Sequence, residues 1–337
     1  MLLTVDIGNT NIVCGIYKGN KLQSHWRTGT VRRQDPMAYQ EQLGRWCNDQ
    51  QIPPQAIDGA VIASVVPPVD AAFQHAVRSC FHIDPLMVNH RLRTGLNLQY
   101  DQPEKLGADR LVNAVAAYTL YGGPVIILDL GTATKLCVVT EHGDYLGGII
   151  APGIKIGIDA LANATAKLPR FEPTKPPAVI GRSTVHCLQS GIINGHVAMI
   201  RGLVRMIETE LGLSQIRVIA TGGLARLVAA EIPEIDRINE FLTLEGLRII
   251  YEKNRDANAL SPQPGFQIPS SGNLDKPVNQ EGKTSGAKQD SHSDEKQSRS
   301  PLQISHERFQ AGEPPRYAFK GQRQQEEGDG QSGGISD

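Results

Sequence analysis

The sequence predicts an α/β protein made of two duplicated halves, over residues 1–120 and 121–254, with a disordered tail over 255–337. Three observations predict it. An apolar strand running into Asp-x-Gly occurs twice, 123 residues apart, as Leu2-Leu3-Thr4-Val5-Asp6-Ile7-Gly8-Asn9-Thr10-Asn11 and as Val125-Ile126-Ile127-Leu128-Asp129-Leu130-Gly131-Thr132-Ala133-Thr134. Strand-like apolar runs alternate with helix-like stretches through both halves. From Arg255 the composition turns abruptly to Gln, Ser, Gly, Pro and mixed charge, with Phe266, Phe309, Tyr317 and Phe319 as the aromatic residues. Such a segment cannot bury enough apolar surface to offset roughly 1–2 kcal/mol of backbone entropy per residue.

The elements follow in order. Leu2–Ile7 and Ile12–Tyr17 form a hairpin, extended by a strand over Lys21–Arg27. Then come a helix over Pro36–Gln50, a buried strand over Ala60–Val66, a helix over Val69–Phe81 and a strand near Leu86–Asn89. A helix over Leu106–Tyr121 is stopped by Gly122-Gly123-Pro124, because glycine relieves the C-terminal turn and proline cannot continue it. The second half restarts with the hairpin of Val125–Leu130 and Leu136–Thr140. A strand over Asp144–Ala151 is interrupted by Gly147-Gly148, a pair that either admits a ligand or marks a bulge. A helix over Ile154–Ala166 and a Pro-rich loop over Leu168–Pro177 follow. The long helix Ser183–Leu211 carries Ile193, Val197, Ile200, Val204, Ile207 and Leu211 at alternating spacings of four and three, an apolar seam that is core or a subunit interface. Ile216–Ala220 is a buried strand that delivers Thr221-Gly222-Gly223 to a helix start at Leu224, and Thr243–Asn254 is the last helix.

Composition narrows the function. Lys and Arg total 34 against 35 Asp and Glu, a net charge of −1, so no global field attracts nucleic acid or an anionic membrane. A small substrate is expected. Cys14, Cys47, Cys80, Cys137 and Cys187 are odd in number, without a C-x-x-C pair or zinc-like His spacing, and read as free thiols in a reducing compartment. A strand begins within two residues of Met1 without a basic leader, and no apolar run reaches the roughly 18 residues of a membrane helix. The expectation is a cytoplasmic protein.

The duplicated turn carries the chemistry. Gly8 and Gly131 allow close backbone approach, so that N–H groups can face phosphate oxygens, while Asn9, Thr10, Thr132 and Thr134 add neutral donors. Asp6 and Asp129 are placed to hold cations between them. One such turn is an ordinary hairpin signature, but two at matching strand ends point to a nucleotide triphosphate and its metal. Upstream of the second copy, Tyr100-Asp101-Gln102-Pro103-Glu104-Lys105-Leu106-Gly107-Ala108-Asp109-Arg110 sets an acid beside a base near a helix start. Asp109 is a candidate to accept a proton from an attacking hydroxyl, and Arg110 to pair with an anionic substrate group. On composition alone these two residues also suit a helix first turn and a solvated surface.

The ordered string Asp6-Ile-Gly-Asn-Thr-Asn11, Ser64-Val-Val-Pro-Pro68, Thr94-Gly-Leu, Gly107-Ala-Asp-Arg110, Asp129-Leu-Gly-Thr-Ala-Thr134, Gly147-Gly-Ile-Ile-Ala-Pro-Gly153 and Thr221-Gly-Gly223 closely resembles type III pantothenate kinase over residues 1 to about 254. The resemblance implies duplicated ribonuclease H-like (actin-like ATPase) domains that close over ATP in an interdomain nucleotide cleft. It implies that Asp6, Ile7, Gly8, Asn9, Thr10, Asn11, Ile12, Val13 and Thr132 line the ATP phosphates, with Asp6 near Mg2+. It implies a monovalent cation (K+ or NH4+) at Asp129. Tyr100, Gly107, Ala108, Asp109, Arg110 and Thr184 would surround pantothenate, with Asp109 as proton acceptor, and the protein would be a homodimer. Leu130 and Lys135 depart from the family pattern, which often has phenylalanine and a further threonine or other neutral residue there. Lys135 is expected to point to solvent, the alternatives being that it supplements a cation at the phosphate turn or reaches a nucleotide phosphate. Rival readings are a nucleotide-sensing ATPase of the same superfamily, a regulatory relative, and a kinase for another small hydroxy acid.

Overall fold

The computed structural model describes residues 1–259, and the predicted tail, apart from its first five residues, lies outside the described residues. Two mixed sheets carry the fold. The first is built from β1 (Leu2–Ile7), β2 (Asn11–Lys18), β3 (Lys21–Gly29), β4 (Gly59–Ser64) and β5 (Leu86–Met87), in the order β3-β2-β1-β4-β5. The second is built from β7 (Val125–Leu130), β8 (Ala133–Val139), β9 (Asp144–Pro152), β10 (Arg217–Thr221) and β11 (Arg237–Ile238), in the order β11-β10-β7-β8-β9, with the short β6 (Asn97–Leu98) added parallel to β9. In each sheet the first three strands form an antiparallel meander and the last two join in parallel. That shared order, occurring twice, is the ribonuclease H-like arrangement of actin-like ATPases.

Strand alternation sorts the side chains into layers. Leu3, Val5 and Ile7 of β1 pack with Tyr39, Leu43 and Trp46 of α1 (Pro36–Asp49) and Phe73 and Val77 of α2 (Pro67–Phe81). On the second sheet, Ile126, Leu128 and Leu130 pack with Ile154 and Ile158 of α4 (Ile154–Ala164) and with Ile200, Val204 and Ile207 of α6 (Gly195–Leu211). The opposite faces of both sheets meet α3 (Ala108–Tyr121) and α8 (Leu242–Ala259). Leu111 and Val112 of α3 join Val61 and Ala63 of β4, while Ala114 and Ala117 join Val125 and Ile127 of β7. Helix α3 is therefore a middle layer buried against both sheets, which explains its small-residue run Ala114, Ala116, Ala117.

Several boundaries differ from expectation for identifiable reasons. Pro67 and Pro68 occupy the first helical positions, where the missing N–H costs nothing, so α2 starts earlier than Val69. The predicted single helix Ser183–Leu211 is α5 (Thr184–Gln189), one π turn over Ser190–Asn194, and α6. The π turn falls where Ser190 Oγ leaves the helix to donate to Val179 O and accept from Asn194 Nδ2. Its apolar seam is core, with Ile193, Ile200, Val204 and Ile207 fully enclosed. The bulge in β9 falls just before the glycine pair, at Leu146, where the β8–β9 register shifts between Val138 and Val139; Gly147 and Gly148 themselves pair with Val138 and Cys137, and a Cβ on Gly148 would overlap the carbonyl of Leu136. Helix α8 continues five residues past Asn254.

The middle layer makes a stability prediction. A Cβ on Gly246 of α8 would drive into the Val112 carbonyl of α3, whereas Gly202 on α6 faces open space. Gly246→Ala should lower the unfolding free energy by about 1–3 kcal/mol through overpacking. Gly202→Ala should raise it by about 0.5–1 kcal/mol. Urea denaturation of both variants checks the contrast.

Candidate active site

The alternation that builds the cores also aims the carboxylates. Asp6 shares the face of Leu2 and Thr4, and Asp129 that of Val125 and Ile127, so both emerge toward the middle layer at the ends of β1 and β7. There they meet the start of α3, where Gly107 is the N-cap and Asp109 lies in the first turn. Asp109 Oδ1 accepts from the Arg110 N–H at 2.8 Å, and Oδ2 accepts from Lys135 Nζ at 2.6 Å. The same ammonium donates to Asp129 Oδ2 at 2.7 Å. All three side chains are between 16% and 18% exposed, which makes this a half-sheltered ionic bridge from α3 to the β7–β8 hairpin.

The direction of Lys135 differs from the expectation of a solvent-facing side chain, and hairpin register explains it. In the first hairpin Ile7 pairs with Ile12, across a four-residue turn, and Asp6 stands opposite Val13. In the second, Leu130 pairs with Thr134, across a turn one residue shorter, and Asp129 stands opposite Lys135. The turn bonds agree: Gly8 N–H donates to Asn11 O at 3.0 Å, whereas Gly131 N–H donates to Ala133 O at 3.2 Å. A one-residue change in register exchanges strand faces, and directly opposed residues lie close enough to bond.

Charge balance follows from this geometry. Burial, then Asp109 and Asp129, push the Asp6 carboxyl up to about 7, with Lys135 and Arg27 acting the other way. Burial raises Asp129 as well, against the pull of Lys135. For Lys135, burial opposes the charged form, but Asp129 and Asp109 outweigh it and hold the ammonium above its ordinary value. Three carboxylates thus face one ammonium and one guanidinium, and Asp6 makes no hydrogen bond among the described residues. A half-buried carboxyl without a hydrogen-bond partner among the described residues suits a divalent cation. Among the described residues no group of three His, Cys, Asp or Glu side chains is arranged to hold a metal ion by itself.

The two Asp-x-Gly turns meet one another. Thr10 Oγ1 and Thr132 Oγ1 are 2.8 Å apart and exposed, and Thr30 Oγ1 braces the first turn by donating to Gly8 O at 2.6 Å. Asn9 is exposed and Asn11 half-buried, while Ile7 and Ile12 are buried in the first core, so these two could meet a ligand only through main chain. Val13 is half-buried against the middle layer. Thr221 pairs with Asp129, and Gly222, at φ +94°, brings the next turn against it: a Cβ there would lie 2.8 Å from Asp129 Oδ1. Arg27 of β3 reaches Gly223 from the other sheet.

Arg110 is buried, with Tyr100 and Tyr145 rings 5.6 and 5.9 Å from its guanidinium carbon. Its Nε donates to Cys137 Sγ at 3.3 Å and its Nη1 to Tyr100 Oη at 3.4 Å, and among the described residues it has no carboxylate partner. Ala108 is buried, and Gly147 lies against the Tyr100 ring. Thr184 stands apart, exposed at the first position of α5, whose cap is Ser183. It makes no hydrogen bond to Tyr100, Asp109 or Arg110 among the described residues. Sequence reasoning missed Arg27, Cys137 and Tyr145. Only the alternation of β8, which puts Cys137 on the face of Lys135, signalled one of them.

A family model described as type III pantothenate kinase matches residues 2–206. The type III pantothenate kinase of Roseiflexus sp. (strain RS-1) is 49% identical over 255 residues, covering 76% of this chain and all of that one. That of Geobacillus sp. (strain WCH70) is 46% identical over 256 residues, covering 76% and 99%. The chain belongs to the type III pantothenate kinase family. Among solved structures, the ROK hexokinase from Thermus thermophilus is similar, at 14% identity and a TM-score of 0.42, over 76% of this chain and 99% of that one. No described helix is long and apolar enough to cross a membrane.

The thiol under Arg110 gives a direct test. Cys137 Sγ accepts from both Arg110 Nε and Tyr145 Oη, at 3.3 and 3.4 Å. Cys137→Val should leave two buried donors unmatched and lower the unfolding free energy by about 1–3 kcal/mol in a denaturant titration.

Proposed function

We propose that this chain transfers the γ-phosphoryl group of ATP to the primary hydroxyl of pantothenate, giving 4'-phosphopantothenate at the first step of coenzyme A biosynthesis, with Asp109 as the general base. Family membership makes the chain a pantothenate kinase, and a kinase implies ATP. The proposal lies in the roles of its residues. The observation that carries it is the pairing, on one helix start, of a pinned carboxylate with a buried guanidinium that lacks an acidic partner.

Pantothenate is a carboxylate with a primary hydroxyl, and the two ends match these two groups. Arg110, sandwiched near Tyr100 and Tyr145, would take the carboxylate in a bidentate fork. Asp109 would accept the hydroxyl proton. A carboxylate has about four acceptor sites, so the bonds from Arg110 N–H and Lys135 Nζ leave room for a third donor while fixing the group's orientation. Gly107 and Ala108 keep the helix start narrow beside it. Thr184 is proposed as a further pantothenate contact, supported by the resemblance alone.

Residues 6–13 and Thr132 would form the phosphate site, with N–H groups of the Gly8 and Gly131 turns as donors. Mg2+ near Asp6, when bound, would neutralise charge on the phosphate oxygens. Chain residues do the positioning: Asp6 holds its carboxyl toward the middle layer, Thr30 braces the first turn, and Thr10 and Thr132 close the two turns together. We treat residues 1–120 and 121–254 as the two halves that present the nucleotide cleft between their turns, with α8 carried on the first sheet. The monovalent cation expected at Asp129 meets a carboxylate already bridged by Lys135, which the next subsection takes up.

We also infer a cytoplasmic homodimer, the pairing being supported by Ile150, Ile156, Val179, Ile180 and Val185, exposed apolar side chains within one stretch of the second half. Light scattering should give twice the chain mass, and Ile180→Asp should shift it toward the monomer.

Pantothenate-dependent ADP release from purified protein tests the catalytic reading. Asp109→Asn should lower kcat by about 100 to 10,000-fold with a much smaller change in KM. Arg110→Met should mainly raise KM for pantothenate. ADP release indifferent to pantothenate would identify a sensor-like ATPase or another acceptor instead.

A further inference from the structure

We propose that Lys135 supplies, from within the chain, the positive charge that the family resemblance assigns to a monovalent cation beside Asp129, so that turnover requires neither potassium nor ammonium. This rests on the kinase reading above. An ion at that site would need the Asp129 carboxylate as a ligand, yet Asp129 Oδ2 accepts from Lys135 Nζ at 2.7 Å. The same nitrogen is 2.6 Å from Asp109 Oδ2, so the ammonium spans both carboxylates.

An alkylammonium head is close to ammonium ion in charge and donor chemistry. Two of its three N–H donors are used by the carboxylates, which leaves one for a ligand oxygen. The placement is built into the hairpin rather than incidental, since Lys135 stands directly opposite Asp129 in the β7–β8 register. A four-residue turn like that of the first hairpin would have opposed Asp129 with a different residue. The groups facing the lysine are accounted for on every side: Asp129 from β7, Asp109 from α3 and Asp6 from β1. A second monovalent cation about 4 Å from this ammonium would be repelled enough to weaken its binding by about a thousandfold at an effective dielectric constant near 20. The residues present therefore do not fit a separate ion at Asp129.

The charge has a purpose in the proposed reaction. Among the described residues no glycine-rich loop carries a phosphate-binding lysine, and Lys135 places one beside the second phosphate turn from the adjoining strand. Its two bonds also hold Asp109 and Asp129 together, so the general base and the second turn keep a fixed spacing.

The test compares potassium chloride with choline chloride at equal ionic strength, reading pantothenate-dependent ADP release with Mg2+ and ATP present, and the thermal unfolding midpoint of the full chain without nucleotide or pantothenate. Wild-type turnover should agree within about twofold in the two salts and its midpoint should not move, because no site for the ion is open. Lys135→Thr should be at least about tenfold slower in choline than in potassium, and its midpoint should rise with potassium as the ion fills the vacated place. Wild-type turnover that falls about tenfold or more in choline would overturn the inference and leave the kinase reading standing. If no turnover occurs in either salt, the kinase reading fails, and the midpoints still decide: a wild-type midpoint that rises with potassium overturns the inference. Should Lys135→Thr not fold, the wild-type comparison decides alone.

Discussion

The Asp109–Lys135–Asp129 bridge is the interaction on which the site depends. It joins the first turn of α3 to the β7–β8 hairpin, the two elements that carry the proposed base and the second phosphate turn. Burying two carboxylates near a third is unfavourable unless a cation is interposed, because the cost of desolvating each charge is several kcal/mol. One ammonium at hydrogen-bond distance from two of them offsets that cost and fixes where they stand. Asp6, left out of the bridge, has its carboxyl pushed up to about 7 by burial and by the other two acids.

That division shows how a duplicated fold becomes an asymmetric catalyst. Both sheets deliver an aspartate to the same middle layer by the same strand parity, yet the second turn is one residue shorter, and Val13 in one hairpin answers to Lys135 in the other. The first aspartate stays without a protein cation bonded to it and suits a metal with its phosphates. The second is bridged internally by Lys135 and would anchor the proposed base. Helix α3 enforces the convergence, since Leu111, Val112 and Val115 pack toward the first sheet while Ala114, Ala116 and Ala117 pack toward the second, bringing Asp109 and Arg110 to the junction.

Much of this was legible in the chain. The repeated strand and Asp-x-Gly turn gave the duplicated hairpins, and the Gly122-Gly123-Pro124 stop and the apolar runs gave α3, β4, β7 and β10 nearly to their ends. The two-residue strands β6 and β11 were not legible, because such short edge pairings are decided by tertiary contact rather than by a local pattern. The π turn at Ser190 was hidden within a continuous helical periodicity. In the site, Asp109 and Arg110 stood out as a charged pair, but whether Arg110 was solvated or buried depended on Cys137, Tyr100 and Tyr145, which are distant in sequence. The inward direction of Lys135 was not legible, because strand pairing, set by turn length, decides which face a side chain occupies.

The central claim is that Asp109 and Arg110 grip the two ends of one small acid while the bridge holds them in place. A crystal structure with a non-hydrolysable ATP analogue, Mg2+ and pantothenate tests it most directly. The account predicts the pantothenate primary hydroxyl within hydrogen-bond distance of the Asp109 carboxylate, its carboxylate on Arg110, and Lys135 still bonded to Asp109 and Asp129. Pantothenate bound with its hydroxyl away from Asp109, or Lys135 swung out to solvent with a free cation in its place, would contradict it.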